Sequence, residues 1–344
     1  MPNLIVTTQG ARLRCAKNQL LVEDEDGARL HSLPEQQVEG VTLLGRVGMS
    51  TGFLQLAFEQ QFPVTFLTAH GGYRGRLQTG QSGDVRLRVR QYRRLDDLPW
   101  RLAAARAIVL AKLRSERSLL LRQDRNHPQP ALREAAAELA RLAGEVPEAK
   151  TLPALMGREG RAARCYFAGL RAAVRRPLPF RGRSRRPPRD PVNSLLSLSY
   201  SLLTTELAGA LQAEGLSARI GAYHSPRRRV PALALDLLEP FRAPVADRLT
   251  LTLVNRGQLR PEHFVTEDDG GVRLTREGLR TYFTEYARRL ERPFHNREGR
   301  RTCFRQELWN QARGWQRFLE GQAEFRPFQA EGGGPDRRQG RRKS

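Results

Sequence analysis

Four side chains in this sequence have the types and neighbours that chemistry needs: Glu159, His224, Asp236 and Glu239. Glu159 lies in Gly157-Arg158-Glu159-Gly160-Arg161-Ala162-Ala163, and on a helix it shares a face with Ala163, Tyr166 and Leu170. A carboxylate along such an apolar stripe is costly unless it meets a cation, a proton or a metal. The alternative places Glu159 in an exposed first helical turn, where the helix dipole favours it. His224 follows Gly221-Ala222-Tyr223 and precedes Ser225-Pro226 and the run Arg227-Arg228-Arg229, which suits a nearby phosphate or an ordinary solvated loop. Asp236 and Glu239, three residues apart, precede Pro240. That pattern reads either as a capping box opening a helix or as two carboxylates converging on a cation shared with His224. One imidazole with two or three carboxylates is a hard donor set, suited to Mn²⁺ or Mg²⁺ more than to Zn²⁺.

The elements that must position these residues divide into two regions. Up to residue 82 the chain reads as β, with runs at Leu4-Ile5-Val6, Leu20-Leu21-Val22, Val38 to Leu44 and Val64 to Leu67, and one helix from Gly52 to Gln60. Antiparallel pairing is expected there. Residues 83–98 read as a linker, beginning in the polar stretch Gln81 to Asp84. From residue 99 to 330 the period changes to that of helices. Helices are expected at Trp100 to Arg122, Ala131 to Ala143, Pro153 to Val174, Pro191 to Glu214, Pro240 to Asn255, Arg276 to Leu290 and Arg305 to Glu320. The tail, residues 331–344, is rich in Gly and Arg and is expected to be disordered.

The 344 residues carry 59 Lys+Arg against 36 Asp+Glu, a formal net charge of +23, and this field draws polyanions. Arginine, the dominant cation, forms forked bonds to phosphate. Cys15, Cys165 and Cys303 are far apart, show no CxxC pattern and are odd in number, so a reduced cytoplasm is expected, with neither zinc cluster nor disulfide framework. No secretory leader or membrane span is expected. Charge alone also accommodates a DNA-binding scaffold without catalysis, or an RNA-binding accessory protein.

Several motifs, in order, resemble the universal CRISPR-associated adaptation endonuclease-integrase, the family numbered one among the Cas proteins. The most specific runs from Arg183 to Ser197 (Arg183-Ser184-Arg185-Arg186-Pro187-Pro188-Arg189-Asp190-Pro191-Val192-Asn193-Ser194-Leu195-Leu196-Ser197), followed by Tyr200 and Leu202-Leu203. Gly157 to Ala163, Tyr166-Phe167, His224, Leu235 to Glu239 and Asn255-Arg256-Gly257 also match. Gly45-Arg46-Val47, Ser50-Thr51 and Phe66-Leu67 resemble the family's β domain. Some relatives carry Asp where Glu239 stands, and many have an aromatic residue where Leu198 stands.

The resemblance implies an α+β fold, an N-terminal β-sandwich-like domain followed by a larger all-α catalytic domain. It implies Glu159, His224 and Glu239 as ligands of Mn²⁺ or Mg²⁺, with Asp236 as an acidic partner in catalysis. The implied reaction joins a short duplex DNA fragment to a CRISPR repeat, by attack of a 3′-hydroxyl on a phosphodiester. Implied partners are double-stranded DNA, a second copy of the chain, and the small ferredoxin-like companion numbered two in the Cas series. Arg183, Arg185, Arg186, Arg227, Arg228 and Arg229 are the candidates for DNA contact.

Overall fold

The computed structural model describes residues 3–69, 73–77, 85–176, 178–225 and 230–329. The polar stretch Gln81 to Asp84 and the tail 331–344 lie outside the described residues. The N-terminal region contains β1 (Asn3–Val6), β2 (Arg12–Ala16), β3 (Gln19–Glu23), β4 (Arg29–Pro34), β5 (Gly40–Leu44), β6 (Gly48–Met49), α1 (Thr51–Glu59), β7 (Val64–Leu67) and β8 (Tyr73–Leu77). Two four-stranded sheets form, in the orders β1-β5-β7-β8 and β4-β3-β2-β6. Lys17 and Asn18, at φ 52° and 58°, make the two-residue β2–β3 turn with the left-handed geometry that matches strand twist.

Pairing is mixed, which corrects the antiparallel expectation: β1, β5 and β7 run parallel, and β6 runs parallel to β2. Crossovers made by the other sheet and by α1 allow neighbouring parallel strands. Val41 and Leu43 face a core shared with Leu13, Leu20 and Val22 of the second sheet and Phe53 of α1. Leu44, on the opposite face of β5, joins the helical core instead.

The remaining elements are α2 (Val85–Arg93), α3 (Leu98–Asn126), α4 (Pro130–Glu145), α5 (Leu152–Ala173), α6 (Pro191–Ala213), α7 (Ala232–Phe241), α8 (Arg248–Asn255), β9 (Phe264–Thr266), β10 (Val272–Leu274), α9 (Arg276–Glu291), β11 (Phe294–His295), β12 (Arg301–Thr302) and α10 (Phe304–Leu319). The ribbons β9–β10 and β11–β12 make this part mainly, not wholly, helical, a correction to the all-α expectation.

Starts are set locally. Asp97, Thr151 and Asp190 accept hydrogen bonds from Trp100, Ala154 and Asn193 N–H at 3.0, 3.3 and 2.8 Å, each ahead of a proline in the first turn. Helix α3 is apolar on most sides because it runs through the centre, against α4, α5 and α7. Close approach of α5 to α4 rests on Gly169, where a Cβ would lie 2.8 Å from that of Ala135.

The segment 83–98, expected as a linker, instead carries α2. Its Gln91 is buried and donates to the carbonyls of Ser217 and Ile220 at 2.8 and 2.9 Å, while its Oε1 accepts from Ser217 N–H at 2.9 Å. Apolar Leu87 buries on the same face, so this stretch clamps the loop that leads to His224.

Candidate active site

Helices α3, α5 and α7 place Lys112, Glu159 and Glu239 around one buried point. The Lys112 ammonium pairs with Glu159 Oε1 and, at 2.9 Å, with Glu239 Oε2. The Lys112 side chain is 6% exposed and that of Glu239 2%. Burial pulls the Lys112 pKa down, but the charges of Glu239 and Glu159 outweigh it and hold the ammonium form. Burial pushes Glu159 up; Lys112 and the Tyr223 hydroxyl, which donates at 2.5 Å, win and hold its carboxyl at about 2. Arg242 pairs with the other oxygen of Glu239 at 3.2 Å.

Asp236 and His224 form the adjoining pair. Asp236 is not a helix cap. Helix α7 begins at Ala232 with Pro231 before it, and Pro240 sits inside the helix. Pro240 needs no hydrogen-bonded N–H because the chain widens into a π-helical turn (Arg242–Asp247) immediately after α7. Fully buried, Asp236 accepts N–H bonds from Ala222, Tyr223 and His224 at 2.8, 2.9 and 2.8 Å, and its Oδ1 lies 2.6 Å from His224 Nδ1. Burial alone would lower the His224 pKa; the hydrogen bond and charge of Asp236 raise it. Gly221 permits this wrap, since a Cβ there would stand 2.4 Å from Asp236 Oδ2.

Glu159 and Glu239 thus converge, and Tyr223 ties Glu159 to the His224 loop. Among the described residues, no three His, Cys, Asp or Glu side chains stand as a ready metal cage; the cation between the two carboxylates is Lys112. The chemistry of the donors still suits a hard divalent ion. Two carboxylates face one point, and Glu239 Oε2 has no bond of hydrogen-bond geometry. Asp236 engages Nδ1 of His224, the outer-shell arrangement that directs Nε2 to a metal.

Other participants escaped the sequence reading. Glu116, one turn along α3 from Lys112, is 4% exposed with an unpartnered Oε2, and burial pushes its carboxyl up to about 8. Asp247 accepts the hydroxyls of Tyr166 and Tyr200 at 2.5 and 2.6 Å. Arg242 and Arg183 lie over the Tyr200 ring at 4.7 and 5.4 Å. Lys112 alone had a signal: it is one of four lysines in a chain that otherwise uses arginine, flanked by apolar Ala111 and Leu113.

A cavity of about 850 Å³ opens beside His224. Seven arginines line it (Arg76, Arg88, Arg183, Arg185, Arg186, Arg219 and Arg242), and its lining among the described residues includes no acidic side chain. Arg185 and Arg186 therefore share a space with His224. Arg183 is committed within the protein, donating to Asn193 Oδ1 at 2.8 Å and to Ser197 Oγ at 3.1 Å. Asn193 in turn donates to Gly182 O and Asp190, so much of the Arg183 to Ser197 motif builds the entry to α6. Arg227, Arg228 and Arg229 lie outside the described residues. The three cysteines are unpaired, and no described helix is long and apolar enough to cross a membrane.

Similarity to known proteins follows the same residues. The chain is 38% identical over 328 residues to a CRISPR-associated endonuclease Cas1 of Thermus thermophilus, covering 94% of this chain and 98% of that protein. A Cas1 protein from Thermotoga maritima superposes with a TM-score of 0.80 at 27% identity, covering 94% of this chain and 99% of that one. A chain of a Cas6-RT-Cas1–Cas2 complex gives the same TM-score and identity over 95% of this chain and 36% of that one. The model for CRISPR associated protein Cas1 matches residues 4–288, a span that holds Lys112, Glu159, His224, Asp236 and Glu239. With its sheets, its helical core and its carboxylate-histidine centre all inside that span, this chain belongs to the Cas1 family.

Proposed function

We propose that the chain is a metal-dependent DNA endonuclease and integrase that inserts short duplex fragments into a CRISPR repeat array. The observation that carries this reading is the convergence of Glu159 and Glu239 on one cation position, next to an arginine-lined cavity that includes His224. Glu159, Glu239 and Nε2 of His224 would hold Mn²⁺ or Mg²⁺. When bound, such an ion neutralises charge on a phosphodiester under attack and lowers the pKa of the attacking hydroxyl. Asp236 keeps the imidazole oriented, and Arg185, Arg186 and Arg219 take the phosphate backbone.

The likeness to a Cas1–Cas2 complex supports a Cas2-type companion, with double-stranded DNA and a second copy of this chain completing the assembly. The test mixes purified chain, companion, a short duplex and a repeat-bearing plasmid, with and without Mn²⁺. Strand transfer should require the metal and be abolished by Glu159→Ala or Glu239→Ala, with DNA affinity preserved within a few-fold. Undiminished transfer by both variants refutes the site. The Lys112 ion pairs favour a second reading, in which the carboxylates only hold helices together. In that case the same variants lower the melting temperature and leave transfer intact.

A further inference from the structure

Two buried carboxylates pointed at one position repel each other unless something positive stands between them. Here that cation is supplied by the chain: Lys112 reaches from α3 to Glu159 on α5 and Glu239 on α7. An ammonium in that place also excludes a divalent ion, which needs the same oxygens. The same helix offers a second berth. Glu116 stands four residues on, hence on the same face one turn away, buried and with an oxygen that no donor satisfies. An unsatisfied buried acceptor beside a mobile ammonium is a costly arrangement unless the two meet in another state of the site.

We propose that Lys112 is a resident counter-ion that holds Glu159 and Glu239 in their ligating orientation and swings to Glu116 when a divalent ion takes its place. Lys112 is thus a positioning residue for the metal, and Glu116 is the acceptor that makes its departure possible. This inference rests on the metal-dependent reading above, and metal binding itself provides the readout.

Mn²⁺ affinity of the full chain is measured from the electron paramagnetic resonance of free Mn²⁺, beside thermal melts without metal. Lys112→Met should bind Mn²⁺ tighter by roughly tenfold, the scale on which outer-shell partners tune metal affinity, and melt lower without metal. Glu116→Met should bind Mn²⁺ several-fold more weakly, because the displaced ammonium has no acceptor. The double variant should match Lys112→Met, since no ammonium remains to be rehoused. Lys112→Arg, which keeps the charge should the neutral variant not fold, should bind Mn²⁺ more weakly than the wild type. Equal or weaker binding by folded Lys112→Met, or additive effects in the double variant, overturns the proposal. A wild type that binds no Mn²⁺ overturns the metal-dependent reading as well.

Discussion

His224 Nδ1 lies 2.6 Å from Asp236 Oδ1, and the same carboxylate accepts three backbone N–H bonds from the loop that carries the histidine. One buried side chain therefore shapes a loop and selects an imidazole tautomer. Asp236→Ala leaves those donors without an acceptor and should cost about 3–5 kcal/mol of stability, the usual scale for breaking a buried pair. Asp236→Asn keeps the shape but loses the anion, so it should fold while losing roughly 10–100-fold in Mn²⁺ affinity. Denaturant titration and metal titration separate the two. Equal metal affinity in Asp236→Asn would show that Asp236 is purely architectural.

Gly221 offers a way to disturb the same wrap without touching an ionisable group. A methyl there would meet Asp236 Oδ2 at 2.4 Å and the backbone of Ala232 at 2.9 Å. Gly221→Ala should therefore destabilise by about 1–3 kcal/mol, as overpacking does. Gly157→Ala, with open space at its Cβ, serves as the control and should be neutral or slightly stabilising. Matching denaturation midpoints for the two variants would contradict the close approach.

Asp247 supplies a pH signature. Its burial pushes the carboxyl up to about 6, against the hydrogen bonds from Tyr166 and Tyr200 that pull it down. A group raised on folding contributes stability in full below its unfolded value, about 3.8, and loses that contribution as pH rises through the folded value. Wild-type stability should thus fall relative to Asp247→Asn between about pH 4 and pH 7. Parallel stability profiles from denaturant titrations across that range would remove Asp247 as the cause.

Arginines of the cavity should reveal themselves through salt. If Arg185 and Arg219 each neutralise one phosphate, replacing either with Ala lowers the slope of log affinity against log salt by about one. Duplex binding at several salt concentrations measures this. A fall in affinity with no change of slope argues for a role other than phosphate contact.

Much of the helical frame was legible because its signals are local. Asp97, Thr151 and Asp190 ahead of prolines mark helix starts whatever lies elsewhere. Parallel pairing of β1 with β5 was not legible, since partner choice depends on residues far apart in sequence. The site divides along the same line. Glu159 on an apolar stripe announced a need for a cation, yet its partner stands 47 residues away on another helix. At Asp236 the local pattern misled: Asp-x-x-Glu-Pro resembles a cap, but packing of α7 against α3 and α6 carries the helix through Pro240. Arginine side chains gave no sorting signal, and only the folded chain separates Arg183, tied into the α6 entry, from Arg185 on the cavity wall.

The π-helical turn at Arg242–Asp247 sets the angular phase between two helices. Upstream of it, α7 aims Glu239 at Lys112; at its two ends Arg242 meets Glu239 and Asp247 meets Tyr166 and Tyr200. Removing one residue inside the turn would restore α-helical winding and rotate everything beyond it by about 100° relative to α7. Asp247 would then swing away from both tyrosines, and α8 would present a different face to the core. Loss of a single residue here should therefore be far more damaging than a substitution at the same position.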